Sequence, residues 1–146
     1  SPHRLEFVAE IKGVKYYNDT AATIPDAAIS GLDSFEQKTI LIAGGTDKDL
    51  NFVEFAKKIP EKTKKVILLK GNATEKILDI MKKNSAAEFI DSIEVVDSME
   101  RAVLLASENA EDGDVVLLSP GAASFGLFLN EFDRGDKFRE AVQKLK

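Results

Sequence analysis

Three short strings combine small residues with side chains that can hold an anion. The first, Asn18-Asp19-Thr20-Ala21-Ala22-Thr23, offers a carboxylate, an amide and two hydroxyls directly after an apolar stretch. Asp19 can hold a ribose hydroxyl or a metal-bound water, and Thr20 and Thr23 can donate to phosphate or carboxylate oxygens. The same residues also suit a bland role, in which Asn18 and Asp19 shape a turn and Thr23 caps a helix. The second, Gly44-Gly45-Thr46-Asp47-Lys48-Asp49, has two glycines that let backbone approach a ligand closely and a lysine that supplies a compact cation. A flexible turn with a solvated lysine would read the same way. The third runs from Leu118-Ser119-Pro120-Gly121 through Ala122-Ala123-Ser124-Phe125-Gly126. Its backbone N–H groups and the Ser124 hydroxyl suit an anion at the start of a helix.

Several chemistries are excluded within this chain. It has no cysteine, so thiolate zinc sites, disulfides and cysteine nucleophiles have no residues to build them, and its one histidine, His3, stands at the extreme N-terminus, which argues against a histidine metal site or a serine–histidine triad. No catalytic residue and no metal ligand is assigned. No Gly-x-x-x-x-Gly-Lys-Ser/Thr or Gly-x-Gly-x-x-Gly string occurs. Lys plus Arg number 20 against 25 Asp plus Glu, and a net charge of -5 argues against a nucleic-acid partner. Apolar runs such as Val115 to Leu118 are far too short to cross a bilayer, and no signal peptide is visible, so no membrane partner and a cytoplasmic location are expected.

The elements that must position these loops alternate between strand and helix patterns. Leu5 to Ile11 and Val14 to Tyr17 read as a hairpin around Gly13. Ala27, Ala28, Ile29, Leu32 and Phe35 recur at helical spacing after Pro25, with Thr23 as the expected cap. Thr39 to Ala43, Val66 to Leu69 and Val115 to Leu118 are short apolar runs, the pattern of strands buried on both faces, and Ile93 to Val96 reads as a further strand. Between them lie helices around Phe52 to Ile59, ended by Pro60, around Ile77 to Met81, and around Met99 to Ala106, with a last one around Phe138 to Leu145. Phe125, Phe128 and Phe132 are read as core or interface residues. Asp133-Arg134-Gly135-Asp136 is read as a solvated turn, or as Arg134 paired with its acidic neighbours. The whole, residues 1–146, is expected to be a single α/β domain. It is a Rossmann-like, doubly wound, mainly parallel sheet with an N-terminal antiparallel hairpin at one edge and helices on both faces. In such sheets ligands lie beyond the carboxyl ends of the strands, where all three loops fall.

Taken in order, five strings resemble the C-terminal domain of the Mur ligases. They are His3-Arg4-Leu5-Glu6, Tyr17-Asn18-Asp19-Thr20-Ala21-Ala22-Thr23, Gly44-Gly45-Thr46-Asp47-Lys48, Leu118-Ser119-Pro120-Gly121-Ala122-Ala123-Ser124-Phe125 and Arg134-Gly135-Asp136-Lys137-Phe138. The strings resemble most the branch that adds D-glutamate to UDP-N-acetylmuramoyl-L-alanine in peptidoglycan precursor synthesis. The resemblance implies an amide ligase using ATP and Mg2+, by way of an acyl phosphate, with this chain as the substrate-closing domain and inactive alone. Its partners would be the central and N-terminal domains of the same polypeptide, bearing the phosphate-binding loop and the UDP site, and a monomer is expected. The Pro2-His3-Arg4 start fits a hinge within a longer chain. Arg4, Asn18 and Asp19 are implied at the nucleotide. Thr23, Lys48, Ser124 and Phe125 are implied at D-glutamate, where a cation and two hydroxyl donors suit a dianionic amino acid. Ala21 stands where many relatives have Lys, and Glu131 where an aromatic is expected. The alternatives are the matching domain of another Mur or folylpolyglutamate-type ligase, and a free-standing module for a nucleotide or acidic metabolite.

Overall fold

A computed structural model describes all 146 residues. The chain opens with an antiparallel hairpin, β1 (Glu6–Ile11) and β2 (Val14–Asn18). Its turn is Lys12-Gly13, both with positive φ (52° and 77°), the backbone that a two-residue hairpin turn demands. The chain continues through α1 (Pro25–Asp33), β3 (Thr39–Ala43), α2 (Val53–Lys62), β4 (Thr63–Leu69), α3 (Asn72–Asn84) and the short α4 (Ala87–Asp91). It ends with β5 (Glu94–Val96), α5 (Met99–Asn109), β6 (Val115–Leu118) and α6 (Glu131–Gln143). The six strands lie in the order β1-β2-β6-β3-β4-β5. Only β1 runs antiparallel to its neighbour, and β2, β6, β3, β4 and β5 pair in parallel.

Alternation along the strands splits the core between the two faces of the sheet. Ile40 and Ile42 of β3, with Val116 and Leu118 of β6, face α5 and α6 through Val103, Ala106, Phe138 and Val142. Leu41 and Ala43, with Val115 and Leu117, face the helices α1, α2 and α3 through Leu32, Phe55, Ile59 and Ile77. This is why the central strands read as unbroken apolar runs: every residue from Thr39 to Ala43 is buried. Each such Leu or Ile contributes about 1.5–3 kcal/mol by leaving water.

The expected class, edge hairpin and two-sided helical cover are all present. Four local expectations are corrected. Helix α2 does not stop at Pro60 but runs to Lys62. Proline there forfeits one bond in the last turn only, and the Thr63 hydroxyl closes that end by donating to the Ile59 carbonyl (2.7 Å). Thr23 does not cap α1: the cap position is Ile24, extended and without a side-chain bond, and Pro25 at the first turn needs no acceptor for its missing N–H. Helix α4 was not expected. Asp133 to Asp136 form no turn. They lie in the first turns of α6, whose Asn130 cap accepts from the Asp133 N–H (2.8 Å), and Arg134 there is 0% exposed.

Candidate functional site

Parallel pairing brings the carboxyl ends of β2, β6, β3 and β4 to one edge of the sheet, and four loops meet there. The loop after β2 is joined to the one after β6 by Gly121 N–H donating to Ala22 O (2.8 Å) and by Asp19 N–H donating to Leu118 O (2.7 Å). The loop after β3 is joined to it by Gly44 N–H to Pro120 O (2.9 Å), and by Thr46 and Ala123, which exchange backbone bonds (2.9 and 3.2 Å). The Thr46 hydroxyl also donates to Phe125 O. Gly45 permits this closeness: its φ is 142°, and a Cβ there would sit 2.4 Å from Ala123 O. The loop after β4 was not singled out from the sequence. It leads into the first turn of α3, where Asn72 accepts from Asp47 N–H (2.7 Å) and Thr74 donates to Leu69 O and accepts from Gly45 N–H (3.2 Å).

Arg134 is the clasp of this assembly. From α6 its Nε donates to Thr20 Oγ1 (2.8 Å), one terminal nitrogen to Thr20 O (2.9 Å) and the other to Ala122 O (3.0 Å). Burial pushes its guanidinium down to about 10, so it stays charged at neutral pH, with carbonyls and a hydroxyl rather than a carboxylate taking its hydrogens. The expected pairing with its acidic neighbours gives way to contacts 12 and 114 residues distant. Thr20 is spent here too: it is 0% exposed, and its hydroxyl accepts from Arg134 while donating to Glu131 O (2.8 Å). Its single donor hydrogen is spent and it is buried, so it cannot donate to a ligand.

Asp19 faces an open cleft of about 260 Å3, which Arg4 and the small residues Ala21, Ala22, Ala27 and Gly31 also line. Its carboxylate accepts from Leu5 N–H (3.0 Å) and from the buried Ser119 hydroxyl (2.7 Å). Burial raises its pKa above the ordinary 3.8, against the pull of Ser119, the Leu5 N–H and the Arg4 charge. Asn18 does not line this cleft. It is fully buried, accepts from Thr20 N–H (3.1 Å) and donates to Glu6 (3.0 Å). The same amide nitrogen lies 3.0 Å from His3 Nδ1, which assigns the imidazole proton to Nε2, on the side of Asp136 at 3.8 Å. Glu6 is the hub of this cluster and also takes a two-pronged bond from Arg139 (2.8 and 2.9 Å). Burial pushes the Glu6 carboxyl up, but His3 N–H, Arg139 and Asn18 outweigh it and hold it below its usual range. The segment from His3 to Leu5 is thereby sewn to the Asp19 loop. Gly135 makes room for it, since a Cβ there would lie 2.3 Å from the His3 ring.

On the other side of the third loop Lys48 is exposed, with its ammonium 4.3 Å from the centre of the Phe125 ring. Ser124 lies next to that ring and is 5% exposed. Thr23 stays on the first loop, beside the residue whose carbonyl holds Gly121. Of the sequence-derived candidates, then, Arg4 and Asp19 share one cleft, while Lys48 meets Phe125 elsewhere and Ser124 is the buried residue before that phenylalanine. Phe128 packs partly against the core as expected, whereas Phe125 and Phe132 are 52% and 55% exposed. The site-building roles of Arg134, Ser119 and Asn72 were missed because their partners lie 114, 100 and 25 residues away, outside their own segments.

The family model described as Mur ligase, glutamate ligase domain matches residues 3–122. Among curated proteins, a UDP-N-acetylmuramoylalanine--D-glutamate ligase of Roseiflexus sp. is 48% identical over 97% of this chain and 30% of its own length. The protein of the same name from Borreliella burgdorferi is 44% identical over 98% of this chain and 31% of its own. The chain therefore spans about 30% of the length of these relatives. Among solved structures, a UDP-N-acetylmuramoyl-L-alanyl-D-glutamate--2,6-diaminopimelate ligase superposes with a TM-score of 0.67 at 19% identity, covering 99% of this chain and 32% of that one. A MurF ligase from Thermotoga maritima in complex with ADP gives 0.60 at 22%, covering 100% and 32%. At such identities these two structures speak for the fold alone.

Proposed function

The chain belongs to the Mur ligase family, and we propose that it is the substrate-closing domain of an ATP-dependent ligase that joins D-glutamate to UDP-N-acetylmuramoyl-L-alanine. The single observation that carries the reading is the sewing of the loops after β2, β3 and β6 into one surface. That surface presents a cation, Lys48, against the Phe125 ring at one end and a carboxylate-lined cleft at the other. The relatives' names supply the substrates. A dianionic amino acid needs a point cation and hydroxyl donors, and Lys48, Ser124 and Thr23 are of that kind. Phe125 limits where the ammonium can go.

The Asp19 cleft fits a nucleotide. Its carboxylate is satisfied on one lone pair of each oxygen, which leaves capacity to accept from a ribose hydroxyl. The exposed Arg4 guanidinium on the same cleft suits a phosphate oxygen. Asn18 acts behind them by fixing His3 and Thr20. ATP supplies the activation of the acceptor carboxyl. Mg2+ is read, from the family resemblance, as held mainly by the central domain of the longer polypeptide. Alone, the 146-residue chain is expected to be inactive and, in the whole protein, to work as a monomer in the cytoplasm.

The test is turnover by the full-length polypeptide, read as phosphate release with ATP, Mg2+, UDP-N-acetylmuramoyl-L-alanine and one amino acid at a time. D-glutamate should support release best, and Lys48→Ala should raise its apparent KM tenfold or more, about what losing one charge-assisted contact costs. Better turnover with another amino acid would move the reading to a sister ligase. An unchanged KM in the variant would remove Lys48 from the site.

A further inference from the structure

Lys48 stands between two acids, Asp47 and Asp49, on a loop without regular structure. A cation meant for an anionic substrate is badly placed there, because a free neighbouring carboxylate would compete for it and repel the substrate. The structure disposes of Asp47. Its side chain is only 4% exposed, one oxygen accepts from Leu50 N–H (3.1 Å), and the other takes the ammonium of Lys76. Lys76 projects from α3 one turn beyond Asn72, so the two share a face of that helix. Asn72 grips the Asp47 backbone while Lys76 grips its carboxylate.

We propose that Lys76 is a positioning residue for substrate binding: by pairing with Asp47 it holds the loop after β3 against α3 and keeps that carboxylate off the Lys48 ammonium. The inference rests on the reading of Lys48 as the substrate's cation. Three further features support it. The side chain of Lys76 is 51% exposed, so it is not there to fill the core. Its ammonium also feels Asp49, so it offsets the acids on both sides of Lys48. The Asp47 carboxyl is held below its usual range chiefly by Lys76, so it is ionised wherever the ligase works and its charge must be answered. Thr46, the residue before Asp47, is fixed on the opposite side by Ala123. Lys48 thus leaves a backbone gripped from two sides.

The test uses the full-length enzyme and D-glutamate kinetics in four variants, with Lys48→Ala as reference. Lys76→Met keeps the aliphatic stem and removes the charge. It should raise the KM for D-glutamate about tenfold, the factor one close charge of the wrong sign imposes at a partly exposed site, with kcat and the KM for ATP within about threefold. Lys76→Arg should restore most of the affinity. Lys76→Met combined with Asp47→Asn should also recover it, because the competing carboxylate is gone. A purely structural pair predicts otherwise: Lys76→Met would lower kcat and both affinities together, and Asp47→Asn would not rescue it. Either result overturns the proposal. If Lys48→Ala raises the KM and Lys76→Met does not, the proposal fails while the site stands. If Lys48→Ala leaves the KM unchanged, both fall.

Discussion

Around Asp19 the polar groups are buried and answer one another; Lys48 is exposed and leans on a single aromatic ring. Asn18, Thr20 and Arg134 are 0% exposed and Asp19 is 4% exposed, with every one of them hydrogen-bonded across the fold. Lys48 is exposed, and Phe125 keeps half its surface in water. The difference separates what holds the loops in place from what they present. Substitutions on the first side should register as lost stability, and those on the second as lost binding.

The sharpest test of that division is Arg134→Met. It leaves Thr20 O, Ala122 O and the Thr20 hydroxyl without their donor inside the protein, at a cost of about 3–5 kcal/mol. Urea denaturation should show it, and Arg134→Lys should recover little, because one ammonium cannot reproduce a fork that spans two loops. A loss below about 1 kcal/mol would mean that water replaces the clasp. Next comes Gly45→Ala, where the backbone conformation and the approach to Ala123 O both resist a side chain. About 2 kcal/mol is expected, together with loss of protection from hydrogen exchange at Thr46 and Ala123. Lys48→Ala lies on the other side of the comparison. Its contact with the Phe125 ring contributes about 0.5–1 kcal/mol at most, so the melting temperature should hardly move while the KM for D-glutamate rises.

Asp19→Asn would sharpen the comparison with a change of sign. Burial raises the Asp19 pKa in the folded protein, so ionising it costs stability as pH rises from its ordinary 3.8 through the raised value. The amide is free of that cost. The variant should therefore be at least as stable as the parent at pH 7, and its advantage should vanish as pH falls toward 3.8. The KM for ATP should rise all the same. A variant less stable at pH 7 than at pH 4 relative to the parent would show that Ser119, Leu5 N–H and Arg4 outweigh burial.

Much of the architecture was legible before any coordinate. Runs such as Thr39 to Ala43, too short for a helix and followed by glycines, read as strands covered on both faces, and Gly13 between two alternating stretches read as the turn of a hairpin. The three hydroxyl-bearing loops each follow a strand, so topology alone put them at one edge. Lys48 was legible as a cation after two glycines. Local pattern failed at Pro60, where a hydroxyl of the next strand closes the helix, and at Thr23, where Ile24 takes the cap position.

What the sequence determined, then, is every element but α4, the mainly parallel pairing of the strands and the identity of the presented groups, because periodicity and turn chemistry act over a few residues. Only the tertiary structure decided which polar residues face a ligand and which face one another. Thr20 and Asn18 sit in the same string as Asp19, yet the first is consumed by Arg134, 114 residues away, and the second by His3 and Glu6. A buried donor must find an acceptor wherever the fold supplies one, and sequence distance does not enter that requirement.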